Sequence, residues 1–163
     1  EDGQIVEHWD NMMPLESKPN PSGNTQLDGT TVMNELDKTE ANKSLAKNYI
    51  DTLLIKGEVG KIGDFIKDDN YIQHHPDIAN GATGLQAALG QFAKQGIVME
   101  YDEIHNVHGQ GNFVLVMSSG KFAGKPYAFF DFLGVQKGAV NQHWGIMAPI
   151  PPKSEWKNEN GKF

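Results

Sequence analysis

The sequence predicts an α+β domain in which helices pack against one face of an antiparallel sheet. Two observations carry this expectation. Between Asp37 and Gln95 apolar residues recur at helical spacing, whereas from Ile97 onward they form strand-like runs cut by glycine-bearing turns. Helices first and a series of strands after is the order of an α+β chain.

Each element has its own local signal. Asp37 followed by Glu40 has the form of a helix capping box, and Ala41, Leu45, Tyr49 and Leu53 then recur every fourth residue. Ala46, Ile50 and Leu54 widen that stripe, and Gly57 marks its end. Val59 to Ile66 reads as a second, shorter helix. The stretch DDNYIQHHP reads as a brief strand, because Pro76 biases His75 away from helix. TGLQAALGQFAKQ at 83–95 is a third helix, weakened by Gly90. Turns at GQGN (109–112), AGKP (123–126) and QKG (136–138) then divide four strands into a meander.

The strands are apolar on both faces. Phe113, Leu115 and Met117 alternate with Val114 and Val116, and Phe130 and Phe132 alternate with Tyr127, Phe129 and Leu133. One face must meet the helices. The other is too apolar to leave wet, which predicts a covering partner, a homodimer mate or a sister domain.

Composition narrows the function. There is no cysteine, so disulfides, thiolate metal sites and thiol nucleophiles are excluded. The net charge of −7 works against nucleic acid, which needs a basic footprint. No apolar run approaches the roughly 20 residues that span a bilayer. The histidines His105 and His108 lack the i, i+4 helical spacing of zinc-binding histidine pairs, so no metal is expected.

The chain also repeats part of itself. GQIVEHWDNMMPL at 3–15 aligns with GAVNQHWGIMAPI at 138–150 at a constant offset of 135 residues. Gly3, His8, Trp9, Met12 and Pro14 recur as Gly138, His143, Trp144, Met147 and Pro149. An offset of that size is a domain length, not a solenoid repeat. The expected organisation is therefore a closing strand of a preceding copy at 1–15, a linker at 16–36, the domain at 37–152 and a polar tail at 153–163. The linker assignment rests on the Pro, Ser, Asn, Gly and Asp of ESKPNPSGNTQLDGT.

YIQHHP at 71–76 resembles the YIQHNP motif of SnoaL-like proteins, with a GL-containing helix following here as there. KPYAFFDFLGVQKGAVNQHWGIMAPIP resembles the last two strands of that family. The resemblance implies the cone-shaped fold of nuclear transport factor two and ketosteroid isomerase, a curved sheet wrapping a pocket closed by three helices. It also implies a small apolar ligand and, in the polyketide cyclases, an aldol condensation run by acid/base chemistry without metal or organic cofactor. There the aspartate of an HWD-like strand resembles the general acid/base. Here that position is Gly145, and the family's arginine position is Gly134. The leading copy keeps its aspartate, Asp10.

The candidate acid/base residues are His74, His143, Asp131 and Asp10. By the period of two, His143 shares a face with Gly145 and Met147, away from Gln142, Trp144 and Ile146. His143 is then either a ligand contact and substitute base or a hydrogen-bonded structural histidine. His74 matches the family's histidine and is expected in the pocket, with His75 turned away. Asp131, inside FFDF, is either a pocket acid or paired with a cation at the sheet edge. Asp10 either enters a pocket or lies outside on an orphaned strand. Tyr71, Tyr49, Phe129, Met147 and Trp144 are the expected ligand contacts. Three readings stand open: a proton-transfer enzyme of the cyclase or isomerase type, a non-catalytic ligand-binding or dimerisation module that has lost its aspartate, or a purely structural half of a tandem.

Overall fold

The computed structural model describes residues 2–67 and 69–163. Glu1, which opens the leading segment, and Asp68, which opens DDNYIQHHP, lie outside the described residues. Helix α1 spans Thr39–Ile50 and runs on through a π-helical turn at Asp51–Ile55; α2 is the short Ile62–Phe65, and α3 is Gly81–Lys94. The strands are β1 (Ile72–Gln73), β2 (Met99–Gln110), β3 (Phe113–Phe122), β4 (Lys125–Gln136) and β5 (Ala139–Pro149). No helix among the described residues is long and apolar enough to cross a membrane.

The sheet has the order β1-β5-β4-β3-β2. The meander β2 to β5 is antiparallel throughout, but β1 lies parallel to β5, with Gln73 beside His143. The sheet is therefore mixed, which the meander alone could not show. Strand β2 bulges twice, between Tyr101 and Glu103 and between Ile104 and Asn106, and such bulges bend a sheet. Gly120 makes the bend possible, because a Cβ there would collide with the Glu100 carbonyl oxygen.

Period-two alternation sorts the strands as expected. The inner face carries Val114, Val116, Phe129, Leu133, Val135 and Val140, which pack on Tyr49, Ile50, Leu53 and Leu85 of the helices. The capping box does not form. Asp37 lies in a 3-10 turn, α1 begins after Lys38, and the Thr39 hydroxyl donates to the Leu36 carbonyl oxygen instead.

The segments around the domain are more fastened than their composition suggests. Residues 16–36 form no helix or strand before Leu36, yet the buried Asn20 amide donates to the carbonyl oxygens of Gln73 and Ile78 at 2.7 and 3.1 Å. Asn34 and Asn112 exchange two hydrogen bonds at the β2–β3 turn. Residues 2–15 of the leading segment form no strand. The segment lies across the outer sheet face, where Trp9 packs on Met117, Ala128 and Phe130, and the Asn11 amide donates to the carbonyl oxygens of Ala128 and Ile146. The tail is not wholly a polar surface strip either, since Phe163 stacks on His105 and packs on Phe130. The chain's own two ends thus cover part of the face for which a partner was expected. Phe132 and Ile146 remain exposed there.

Candidate functional site

A cavity of about 750 Å³ lies between the inner sheet face and the helices. Its wall is mostly apolar: Leu54 after α1, Leu85, Leu89 and Phe92 of α3, Met99 of β2, Phe129 of β4 and Met147 of β5. Met12, Met13 and Pro14 of the leading segment also border it. Polar groups converge at one part of this wall: Gln73, His75, Tyr101, Asp131 and His143.

Register explains the convergence. Asp131 of β4 pairs directly with Gly145 of β5, and Leu133 pairs with His143 two residues on. Asp131 and His143 are thus diagonal neighbours on the inner face. The His143 Nε2–H donates to Asp131 Oδ1 at 2.8 Å. The Tyr101 hydroxyl reaches the same carboxylate, 3.2 and 3.4 Å from its two oxygens. Asp131 is only 3% exposed, and these two donors supply the compensation that a buried carboxylate requires. The glycine at 145 matters sterically, because a Cβ there would stand 3.1 Å from His143 Cε1 and 3.9 Å from Asp131 Oδ1. Asp131 brings a carboxylate to this part of the wall, opposite Gly145 on the ladder.

Burial, and then the Asp131 charge, holds the Tyr101 phenol well above its usual range, so it stays a proton donor. Burial likewise raises Tyr49 and Tyr71, whose hydroxyls bond each other. His75 moves the other way: burial first, and His143 second, push its imidazole below the usual range.

Of the sequence candidates, His143, Asp131, Tyr49, Phe129 and Met147 border the cavity. His74 does not. Strand β1 puts Gln73 on the inner side, so the alternation sends His74 outward and returns His75 to the cavity, the reverse of the expectation. His74 stacks on Trp144 with ring centroids 4.4 Å apart, and its Nδ1–H donates to Asp28 Oδ1 at 2.9 Å and to the Thr25 carbonyl oxygen at 3.0 Å. Trp144 is also on the outer side, where its indole N–H donates to the Asp28 carbonyl oxygen. Tyr71 is buried behind the wall, its hydroxyl accepting from Gln73. Asp10 is exposed beside Trp9 at the outer-face depression, and its backbone oxygen accepts from Lys162. It brings no carboxylate to the cavity.

Sequence reasoning passed over Gln73 and Tyr101 and turned His75 away from the pocket. Gln73 and His75 share the parity of Tyr71, so the period of two already separated them from His74. The register of β1 against β5 was the missing information.

The outer cluster clamps the linker to the sheet. His74→Ala should release residues 20–30, seen as faster amide exchange and proteolysis there, and destabilise the fold by about 1–3 kcal/mol through the lost hydrogen bonds to Asp28 and Thr25 and the lost stack on Trp144. Unchanged protection at 20–30, with weakened binding of a cavity ligand, would return His74 to the pocket.

Comparison with known proteins adds the fold. No protein-family model matches the chain, and no curated protein matches its sequence. Solved structures do match. An NTF2-like protein of unknown function from Burkholderia xenovorans is 19% identical, with a TM-score of 0.57 over 76% of this chain and 99% of that one. A candidate ketosteroid isomerase from Kribbella flavida is 17% identical, with a TM-score of 0.56 over 76% and 91%. A SnoaL-like polyketide cyclase from Agrobacterium tumefaciens is 12% identical, with a TM-score of 0.52 over 66% and 91%. The fold is NTF2-like. Within an NTF2-like frame α1 with its π-helical extension, α3 and the curved sheet border the cavity, and β4 and β5 carry the paired carboxylate and imidazole.

Proposed function

We propose that this NTF2-like chain is a SnoaL-like small-molecule protein that moves a proton on an apolar carbonyl compound. One observation carries the reading: an aspartate–histidine pair at 2.8 Å, joined by a tyrosine hydroxyl, on the wall of an otherwise apolar cavity. A few polar, ionisable groups converging in an otherwise apolar pocket are the usual mark of a functional site.

The chemistry follows from the three groups. Asp131 takes the proton beside the carbonyl, breaking the C–H bond and leaving an enolate. As Asp131 becomes protonated, the Tyr101 hydroxyl, held protonated, turns its one hydrogen bond from the carboxylate to the developing oxyanion. His143 orients the carboxylate through Nε2–H. Asp131 then returns the proton, either to another carbon, which is isomerisation, or to the alkoxide formed when the enolate carbon attacks a second carbonyl, which is aldol closure. Neither route calls on a metal or an organic cofactor. Cyclic ketones and polyketide-like dicarbonyls fit the apolar wall and the cavity volume.

The test is hydrogen exchange of a panel of cyclic ketones in deuterated water, followed by mass. Exchange above the buffer rate is expected for at least the more acidic members. A panel that neither exchanges nor binds removes the reading. A second reading is a pure binding module, favoured by Gly145, which projects no carboxylate from β5; a ligand retained in the cavity without exchange would select it.

A further inference from the structure

Gln73 has a hydrogen-bond arrangement that leaves little freedom. Its side-chain oxygen accepts from two backbone N–H groups, those of His74 at 2.9 Å and His75 at 3.0 Å. That fixes which end of the amide is oxygen and which is nitrogen. The nitrogen has two hydrogens. One is given to the Tyr71 hydroxyl at 3.1 Å. The other points at His143 Nδ1, 3.0 Å away.

The consequence falls on His143. Both lone pairs of the Gln73 oxygen are in use, so although that oxygen lies 3.1 Å from Nδ1, it is already saturated. A proton on Nδ1 would meet an N–H donor and a fully occupied acceptor. The ring nitrogen is satisfied only as an acceptor. The single ring proton then sits on Nε2 and is given to Asp131 at 2.8 Å. Tyr71 closes the arrangement, because its hydroxyl accepts from Gln73 while bonding Tyr49.

We infer that Gln73 is the positioning residue of the site: it holds His143 as the neutral Nε2–H tautomer, which makes Asp131, and not the imidazole, the group that accepts the substrate proton. This rests on the proton-transfer reading for its role in catalysis, and on hydrogen-bond geometry alone for the state of the ring. An imidazolium beside Asp131 would favour the ionised carboxylate and make it a poorer base. A neutral ring orients the carboxylate without that loss.

The test separates the two claims. In protein labelled with ¹⁵N-histidine, and with His143→Asn used to assign the signal, His143 should show an unprotonated Nδ1 and a protonated Nε2 at neutral pH. Gln73→Glu keeps an oxygen for the His74 and His75 N–H groups but cannot donate, so both ring nitrogens should become protonated. Exchange of a ketone substrate should then fall about 10-fold, with the acid limb of the pH–rate profile moving to lower pH. A purely structural glutamine would lower the rate without moving that limb. A protonated Nδ1 in the wild type, or ring signals that Gln73→Glu leaves unchanged, overturns the inference. The wild-type spectrum decides the ring state even if Gln73→Glu fails to fold. An inert protein with the expected ring state removes the enzyme reading and leaves the tautomer assignment standing.

Discussion

Asp131→Asn should cut ketone exchange by roughly 10²–10⁴-fold, the usual worth of a positioned general base. That is about 3–5 kcal/mol of barrier. The substitution is nearly isosteric, and the amide oxygen still accepts from His143 Nε2–H, so the fold should survive. The asparagine nitrogen can face the Tyr101 oxygen. Asp10→Asn is the matched control, because Asp10 lies exposed at the outer face and should leave the rate unchanged. The opposite pattern, with Asp10→Asn inactive and Asp131→Asn active, would mean that the leading segment supplies the base and that the pair on β4 and β5 is structural.

Alkaline pH should unfold this protein unusually steeply. Tyr49, Tyr71 and Tyr101 are buried and all three phenols are raised above 10.0, the value they regain on unfolding. Above that value the unfolded chain gives up protons that the native chain keeps. The native state then binds more protons, and stability falls as pH rises, until the folded-state values are passed. Each tyrosine contributes a slope that approaches about 1.4 kcal/mol per pH unit, so three together remove roughly 3 kcal/mol over the first unit above the unfolded value. That is a large share of the stability of a domain this size. Urea midpoints measured against pH, with tyrosinate absorbance alongside, should show phenol ionisation coinciding with unfolding. Tyrosinate appearing near its free value while the native signal persists would contradict the burial of these rings. Asp131→Asn should bring the Tyr101 titration down, since the Asp131 charge is part of what raises it.

Local signals made much of the architecture legible. The turn stretches at 109–112, 123–126 and 136–138 each contain an observed strand break, and parity along β5 put His143, Gly145 and Met147 on one face. These are short-range facts, and the chain carries them in adjacent residues. What was not legible depended on pairing between distant segments. His74 and His75 exchanged places because a two-residue strand takes its facing from β5, some 70 residues away in sequence. The diagonal pairing of Asp131 with His143 needed the β4–β5 register, which a two-residue turn offset cannot be read well enough to supply. The capping box failed because Asp37 and Lys38 belong to a 3-10 turn whose residues bond one another first. Phe163 and Asn20 gave no periodic signal at all; each is a single anchor set in polar sequence.

The two near-copies of one sequence, residues 3–15 and 138–150, end in unlike places, one a strap over the outer face and the other the strand β5. A slot that fits one should tempt the other. Two things decide the contest. β5 follows β4 through a tight turn, which holds it at high local concentration, whereas its rival is tethered by a long linker. The second is charge. In matching alignment the leading segment would set Asp10 where Gly145 now stands, face to face with Asp131 across the ladder. Two carboxylates that close cannot both ionise cheaply, and the added Cβ would crowd His143. The glycine that looks like a deletion of chemistry therefore also acts as a password, admitting one of two similar segments to the slot and turning the other away.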